Sequence, residues 1–482
     1  MAYTHRVSKL FKLKKTQPTL DFVDVDVSTD TAVFISPRAL SMLGSEWGDQ
    51  CVSLIQNFFE TVLNLIKSGR NLEAEQLLGS LKEPNETHLG LSAGRSRGRA
   101  LGDGSAHEVW AAFSNSAAAK SGLLKDLEDT ILLVPGIGID IVSDIATNII
   151  RAPLIEYTQR MCLQEGIALQ QGVDSGPLWN PHTRSWESTY TELPITKFGK
   201  LILVPKVIVR RSPLYDLQEY FRHYLLEHLQ RVELAAPASA LVTVLRNGRR
   251  KVHKSDLIRK TGHKKPDIIR ETIKDSTPLD QYKAEKARQP FLPLDHDDLA
   301  NVENTPSPDW DALLAAVTSL PAGTDSAHDY EKAVEAVLTA LFYPDLVNPI
   351  TQHEIHDRRK RIDITYTNMA QAGFFSWLSK HYSCAHIFVE CKNYTGDIGN
   401  NELDQISSRF SPSRGQIGIV ISRNFKAKDK FDLRCRDTAK DHRGYVISLD
   451  DNDLSALVAA RKSNNNYQLW ELLKERFSFL VN

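Results

Sequence analysis

The sequence predicts an α/β protein in which a C-terminal domain, a mixed central sheet flanked by helices, follows an α+β N-terminal region. Three observations predict it. Beyond residue 325, short apolar runs alternate with amphipathic stretches, the pattern of a sheet with helices packed on its faces. A Pro- and Asp-rich stretch from about Gln289 to Asp325, which includes Pro306-Ser307-Pro308, has the composition of a linker. A chain of 482 residues is also too long for one core and suggests two or three domains. The expected division is an N-terminal region over 1–288, a linker over 289–325 and a C-terminal domain over 326–482.

In the N-terminal region, helical periodicity runs from Leu54 through Ile66. From about Gly79 to Ala106 the chain is polar and turn-rich, with Gly94-Arg95-Ser96-Arg97-Gly98-Arg99 at its centre, and marks a break between two subdomains. Ile131 to Val134 and Leu201 to Val204 read as strands, and Tyr220 to Leu229 as a helix. No internal repeat is visible. In the C-terminal domain, Asp363 sits in a strand-like run and Ile387-Phe388-Val389 is a second one. Glu402 to Phe410 reads as an amphipathic helix, Arg414-Gly415 turns into the buried strand Gln416 to Ile421, and a further helix leads to the strand Tyr445 to Leu449.

Composition bounds the class. Hydrophobic residues at 41% and charged residues at 25% are those of an ordinary soluble globular protein. No apolar run approaches the ~20 residues of a membrane span, and Met1-Ala2-Tyr3-Thr4-His5-Arg6 leads into charged residues instead of a signal-peptide core. Cytoplasmic residence, without a membrane partner, is the expectation. The five cysteines, at 51, 162, 384, 391 and 435, are odd in number and form no C-x-x-C pair, so reduced thiols are expected.

Chemistry concentrates in Arg361-Ile362-Asp363-Ile364 and Val389-Glu390-Cys391-Lys392-Asn393. Alternate strand residues point the same way, so Ile362, Ile364, Val389 and Cys391 are expected to face a core while Asp363, Glu390 and Lys392 share the opposite surface. Two carboxylates suit a hard cation such as Mg²⁺, for which Mn²⁺ is expected to substitute. An amine beside them poises a metal-bound water or neutralises charge on a phosphate. The bland alternative is that these are ordinary outward charges on edge strands, since an E-x-K triplet is common by chance.

With that context the last third of the chain resembles the PD-(D/E)XK nuclease superfamily, the restriction-endonuclease-like fold. The resemblance implies that Asp363 and Glu390 hold the metal, that Cys391 lends its backbone carbonyl and that Lys392 assists the attacking water. Tyr330-Glu331-Lys332-Ala333-Val334 looks like the Phe-Glu-x-x-Val helix start of Mrr-like nucleases, which implies Glu331 as a further acid with Glu335 in reserve. The family's usual Pro before the Asp is replaced by Ile362. Gln405 and Arg409, four apart on a helix, are candidates for touching the site or the nucleic-acid backbone, with a solvated helix face as the alternative. Between the two acidic strands, Gly373-Phe374-Phe375-Ser376-Trp377-Leu378 is read as packing before base stacking.

Two other features stand out. Between Arg246 and Lys265 lie Arg249, Arg250, Lys251, Lys254, Arg259, Lys260 and Lys264 as well, against the single acid Asp256. This is read as nucleic-acid-contacting, with a solvated surface or a face for an acidic partner as the alternatives. Gly136 to Asp144 and Leu203-Val204-Pro205-Lys206 hint at a decayed second site of Asp140 or Asp144 with Lys206, but Val204 stands where an acid is needed and Asp144 is as well placed for a helix N-cap. No Gly-x-x-x-x-Gly-Lys-Ser/Thr loop appears, so no recognisable nucleotide-driven motor accompanies these motifs.

The expectation is a Mg²⁺-dependent DNA endonuclease, set by analogy with phage-defence nucleases in a prokaryotic restriction or antiviral role. A homodimer or higher oligomer, or partner proteins of a defence system, are expected companions. The alternatives are a nucleic-acid-binding or regulatory protein that uses the fold for grip, and a nuclease acting on RNA.

Overall fold

The computed structural model describes residues 5–90, 103–236, 239–355, 360–394, 396 and 398–482. Its N-terminal region is mostly helical. Helix α1 (Glu46–Lys67) is capped by the Ser45 side chain, which accepts from the Gly48 N–H, and it buries Cys51, Ile55, Phe58, Phe59, Val62 and Ile66. That three-and-four spacing is the stripe the sequence showed. Helices α2 (Ile139–Ile149) and α3 (Arg151–Glu165) pack beside it, followed by short antiparallel ribbons between residues 170 and 200.

Two expected strands are absent. Ile131–Val134 falls mostly in the helix Asp129–Leu133, because four apolar residues bury equally well as one helical turn. Leu201–Val204 is buried without joining a strand. Its backbone is satisfied by loops and a side chain: Ile202 N–H donates to Glu86 O at 2.8 Å, Val204 O accepts from Val23 N–H at 3.0 Å, and Leu203 N–H donates to Thr158 Oγ1 at 2.9 Å. Asp144 lies inside α2, for which Gly138 is the N-cap residue.

Helix α4 (Leu226–Ala235) carries a small unit made of the hairpin β1 (Val242–Val244) and β2 (Arg250–Val252) and the helices α5 (Lys254–Thr261) and α6 (Lys265–Lys274). The stretch 289–325, whose composition suggests a linker, carries two helices, α7 (His296–Glu303) and α8 (Trp310–Thr318). Leu299 of α7 belongs to the N-terminal core and Val317 of α8 to the C-terminal one.

The C-terminal part is a five-stranded mixed sheet with helices packed on it. In chain order its elements are α9 (Ala327–Phe342), β3 (Leu346–Ile355), β4 (Lys360–Asn368), α10 (Gly373–His381), β5 (His386–Lys392), α11 (Asn400–Ser407), β6 (Ile417–Ser422), α12 (Lys428–Lys440), β7 (Tyr445–Asp450), α13 (Asp451–Lys462) and α14 (Asn466–Val481). The strand order is β3-β4-β5-β6-β7, antiparallel across the first two pairings and parallel across the last two. All six residues of β6 are buried, as a central parallel strand requires. The aromatic cluster forms α10, where Phe374, Phe375 and Leu378 enter the core against Phe342, Trp470 and Phe477. Packing therefore accounts for it.

Candidate active site

Strands β4 and β5 run in register from Thr367–His386 to Ile364–Val389, and the last paired residues adjoin Asp363 and Glu390. There Asp363 Oδ2 accepts from the Cys391 N–H at 2.9 Å, so its carboxylate leans onto the neighbouring strand. Ile362 does not join Ile364 and Val389 in the main core, contrary to the alternation argument. It packs with Phe388 and Phe410 in a small separate cluster, at a point where β4 is no longer paired with β5 and keeps only its pairing with His353 of β3.

Glu390 is fully buried. Its Oε2 accepts from Lys392 Nζ at 3.2 Å, and its Oε1 is paired with the Arg409 guanidinium. Burial pushes its carboxyl up to about 7, and repulsion from Asp363 adds to that, outweighing Lys392 and Arg409. Lys392 is buried too. Desolvation opposes its charge, yet Glu390 and Asp363 raise it overall, so it is held as an ammonium. Its Nζ also reaches Gln405 Oε1 at 3.4 Å.

Glu331 comes from the first turns of α9 and is half-buried. Its carboxyl is raised by burial and by the charge of Asp363, and a hydrogen bond from Gln352 Nε2 opposes the rise. The Cys391 thiol is raised far above its ordinary range, first by burial and then by Asp363, Glu331 and Glu390 together. Three carboxylates predicted from separate segments thus act on one point. Glu335, the reserve acid, is buried elsewhere: it pairs with Lys15 of the N-terminal arm at 2.8 Å and accepts from Thr339 Oγ1 at 3.0 Å.

Two contributors escaped the sequence. Gln352 lies between the pairs Thr351–Ile364 and His353–Ile362, which sets it opposite Asp363, and its backbone has φ 51°, a left-handed conformation rare for a non-glycine residue in a strand. Asn393 ties the end of β5 to the connector by donating to Pro321 O at 3.0 Å and Gly323 O at 2.9 Å. No local signal marks either. Of the helix pair, Gln405 is exposed and touches Lys392, whereas Arg409 lies beyond the end of α11 and is buried against Glu390, so the pair is not one solvated face.

As they stand, both Glu390 oxygens are taken by cations and Asp363 is turned to a backbone N–H. Among the described residues, no group of three or more His, Cys, Asp and Glu side chains is gathered closely enough to hold a metal ion. The donor chemistry nonetheless fits a hard cation that keeps most of its waters and binds through two carboxylates.

The basic stretch is far from uniform. Lys260 pairs with Glu233, Lys254 with Glu227 at 3.2 Å, and Arg250 donates to Ala236 O at 3.1 Å, while Lys265 is turned inward to Ile131 O at 2.6 Å. Lys206 is also buried and donates to Pro18 O at 3.2 Å. The acids acting on it are Asp21, Glu303 and Glu335, not Asp140 or Asp144, and no second site forms there.

A protein-family profile described as a domain of unknown function (DUF8370) matches residues 12–216, a part of the N-terminal region that ends before the candidate site. No curated protein and no solved structure matches the chain. No helix among the described residues is long and apolar enough to cross a membrane.

Proposed function

We propose that the C-terminal domain has the restriction-endonuclease-like fold and hydrolyses phosphodiester bonds of DNA with the help of Mg²⁺. The observation that carries this reading is the divergence of β4 from β5 at Ile364–Val389, which brings Asp363 beside Glu390 with Lys392 on the same strand and Glu331 charge-coupled to Asp363. In this reading Asp363, Glu390 and the Cys391 carbonyl hold the metal. When bound, the metal would supply an acidified water and neutralise charge on the scissile phosphate. Lys392, kept as an ammonium by its acidic neighbours, adds positive charge where the transition state becomes more anionic and does not serve as a neutral base. Arg409 must release Glu390 for the carboxylate to reach a metal, which leaves its guanidinium beside the site, suited to a phosphate oxygen. Restriction or antiphage defence as the setting rests on the resemblance alone.

The test is incubation of the purified chain with plasmid, linear duplex, single strands and RNA, with and without Mg²⁺. Metal-dependent nicking or linearisation of plasmid, lost in Asp363→Ala, is the expected result. Preferential degradation of RNA would change the substrate, and metal-independent or absent cleavage would reject the reading. One observation favours a second reading, grip without chemistry: both oxygens of Glu390 are already neutralised by protein cations. Calorimetric Mg²⁺ titration separates the two, because a site built for grip takes up no metal that depends on Asp363.

A further inference from the structure

The hairpin β1–β2 sorts its cations by face. The register pairs Arg250 with Val244 and Val252 with Val242, and this face turns toward α4: Val252 is buried, its carbonyl accepts from Gln230 Nε2 at 2.7 Å, and Arg250 is tied to Ala236 O. Lys251 opposite Thr243, with Arg249 two residues back, occupies the other face. Arg249, Lys251 and the turn residue Arg246 are all exposed, and among the described residues no hydrogen bond or ion pair engages their side chains. No Asp or Glu occurs from Leu241 through Lys254. The turn closes at Gly248, φ 78°, whose N–H donates to Leu245 O at 2.8 Å. Three of the cations that remain available are therefore gathered on one side and at the tip of the ribbon, with Lys264 standing apart between α5 and α6, while Lys254 and Lys260 are occupied by acids of their own fold.

We propose that this hairpin is a clamp for the backbone of duplex DNA, with Arg249 and Lys251 on phosphates and Arg246 at the tip. Residues two apart on a strand lie about 7 Å apart, far enough for each cation to meet its own phosphate of one DNA strand. The outward face, Thr243, Arg249 and Lys251, carries one apolar side chain, the exposed Leu245 opposite Arg249, whereas the centre of a protein interface is apolar and poor in lysine. A two-stranded ribbon fits the major groove of B-form DNA but not the deep, narrow groove of duplex RNA. Because the cations of that face are assigned to phosphates, the grip is expected to be largely independent of sequence. This inference does not depend on the phosphodiesterase reading.

The experiment measures binding of the full chain to a short duplex by fluorescence anisotropy in the presence of chelator, where no metal-dependent cleavage occurs, across a salt series. Arg249→Gln with Lys251→Gln should make the slope of log affinity against log salt shallower by about 1.8. Between 50 and 200 mM salt, the unmodified chain should then lose about 12-fold more affinity than the variant. Lys254→Gln with Lys260→Gln, at cations already paired, should leave the slope unchanged. An unaltered slope in the first variant, an equal change in the second, or tighter binding of a duplex RNA or an acidic polypeptide would overturn the proposal. Matching thermal melts ensure that the comparison is between folded proteins.

Discussion

Lys206 offers the most quantitative perturbation. It lies where the N-terminal region meets the C-terminal domain, with Nζ 4.2 Å from the centroid of the Tyr343 ring and donating to Pro18 O at 3.2 Å. Burial lowers its pKa from 10.5 to about 8, against the pull of Asp21, Glu303 and Glu335, while Lys15 adds to the lowering. That lowering corresponds to roughly 3 kcal/mol between the two protonation states. The group is completely enclosed, so solvent screening takes little from that figure. Between pH 8 and 10.5 the unfolded chain carries the proton and the folded chain does not, so stability should rise with pH in this window, by about 1.4 kcal/mol per unit at most. Below pH 8 both states are protonated and the contribution is flat. Lys206→Met keeps the length of the side chain and removes the titration. Urea unfolding of both proteins at several values between pH 7 and 10 should show the unmodified chain gaining stability relative to the variant, by about 2 to 3 kcal/mol overall. Parallel curves would refute the burial argument, and a gain on acidification would show that the acids, and not desolvation, control this lysine.

The remaining predictions concern the candidate site and the connector. Asp363→Ala should abolish cleavage at a stability cost near 1 kcal/mol, the loss of one hydrogen bond with the Cys391 N–H; full activity would remove Asp363 from the site. Glu390→Ala should also be inactive but should destabilise by about 3–5 kcal/mol, because it strands Lys392 and Arg409 without their buried counter-charge. Equal melting temperatures for these two alanine variants would contradict that difference. Lys392→Ala should lower single-turnover cleavage by orders of magnitude with little change in metal or DNA affinity, and Lys392→Arg should rescue poorly, since a planar guanidinium does not fit the place of a compact ammonium; equal losses of rate and affinity would make it a gripping residue. Limited proteolysis should cut first between α7 and α8, around Pro306 and Ser307, which are exposed. The two fragments should co-elute through the Lys15–Glu335 ion pair and the hydrogen bond from the Asn348 N–H to Asp21, and their separation at low salt would show those contacts to be weak.

What the sequence determined by itself is local in origin. The stripe of α1, the apolar run of β6 and the Glu390-x-Lys392 spacing are legible because a helix repeats every 3.6 residues, a strand repeats every two, and each pattern lies within one segment. The same logic misled where a segment was short or left its ladder. Ile131–Val134 was too brief for any period to show, and Ile362 lies on the part of β4 that is not paired with β5. Which charge meets which was decided only by tertiary structure. Arg409 closes on Glu390 from beyond a helix end, Gln352 steadies Glu331 from an edge strand, Lys15 takes Glu335 from more than three hundred residues away, and the basic stretch divides into paired and unpaired cations according to where α4 lies. Charge pairing is a property of distance in space, set by how the cores bring segments together, and composition along the chain carries almost none of that information.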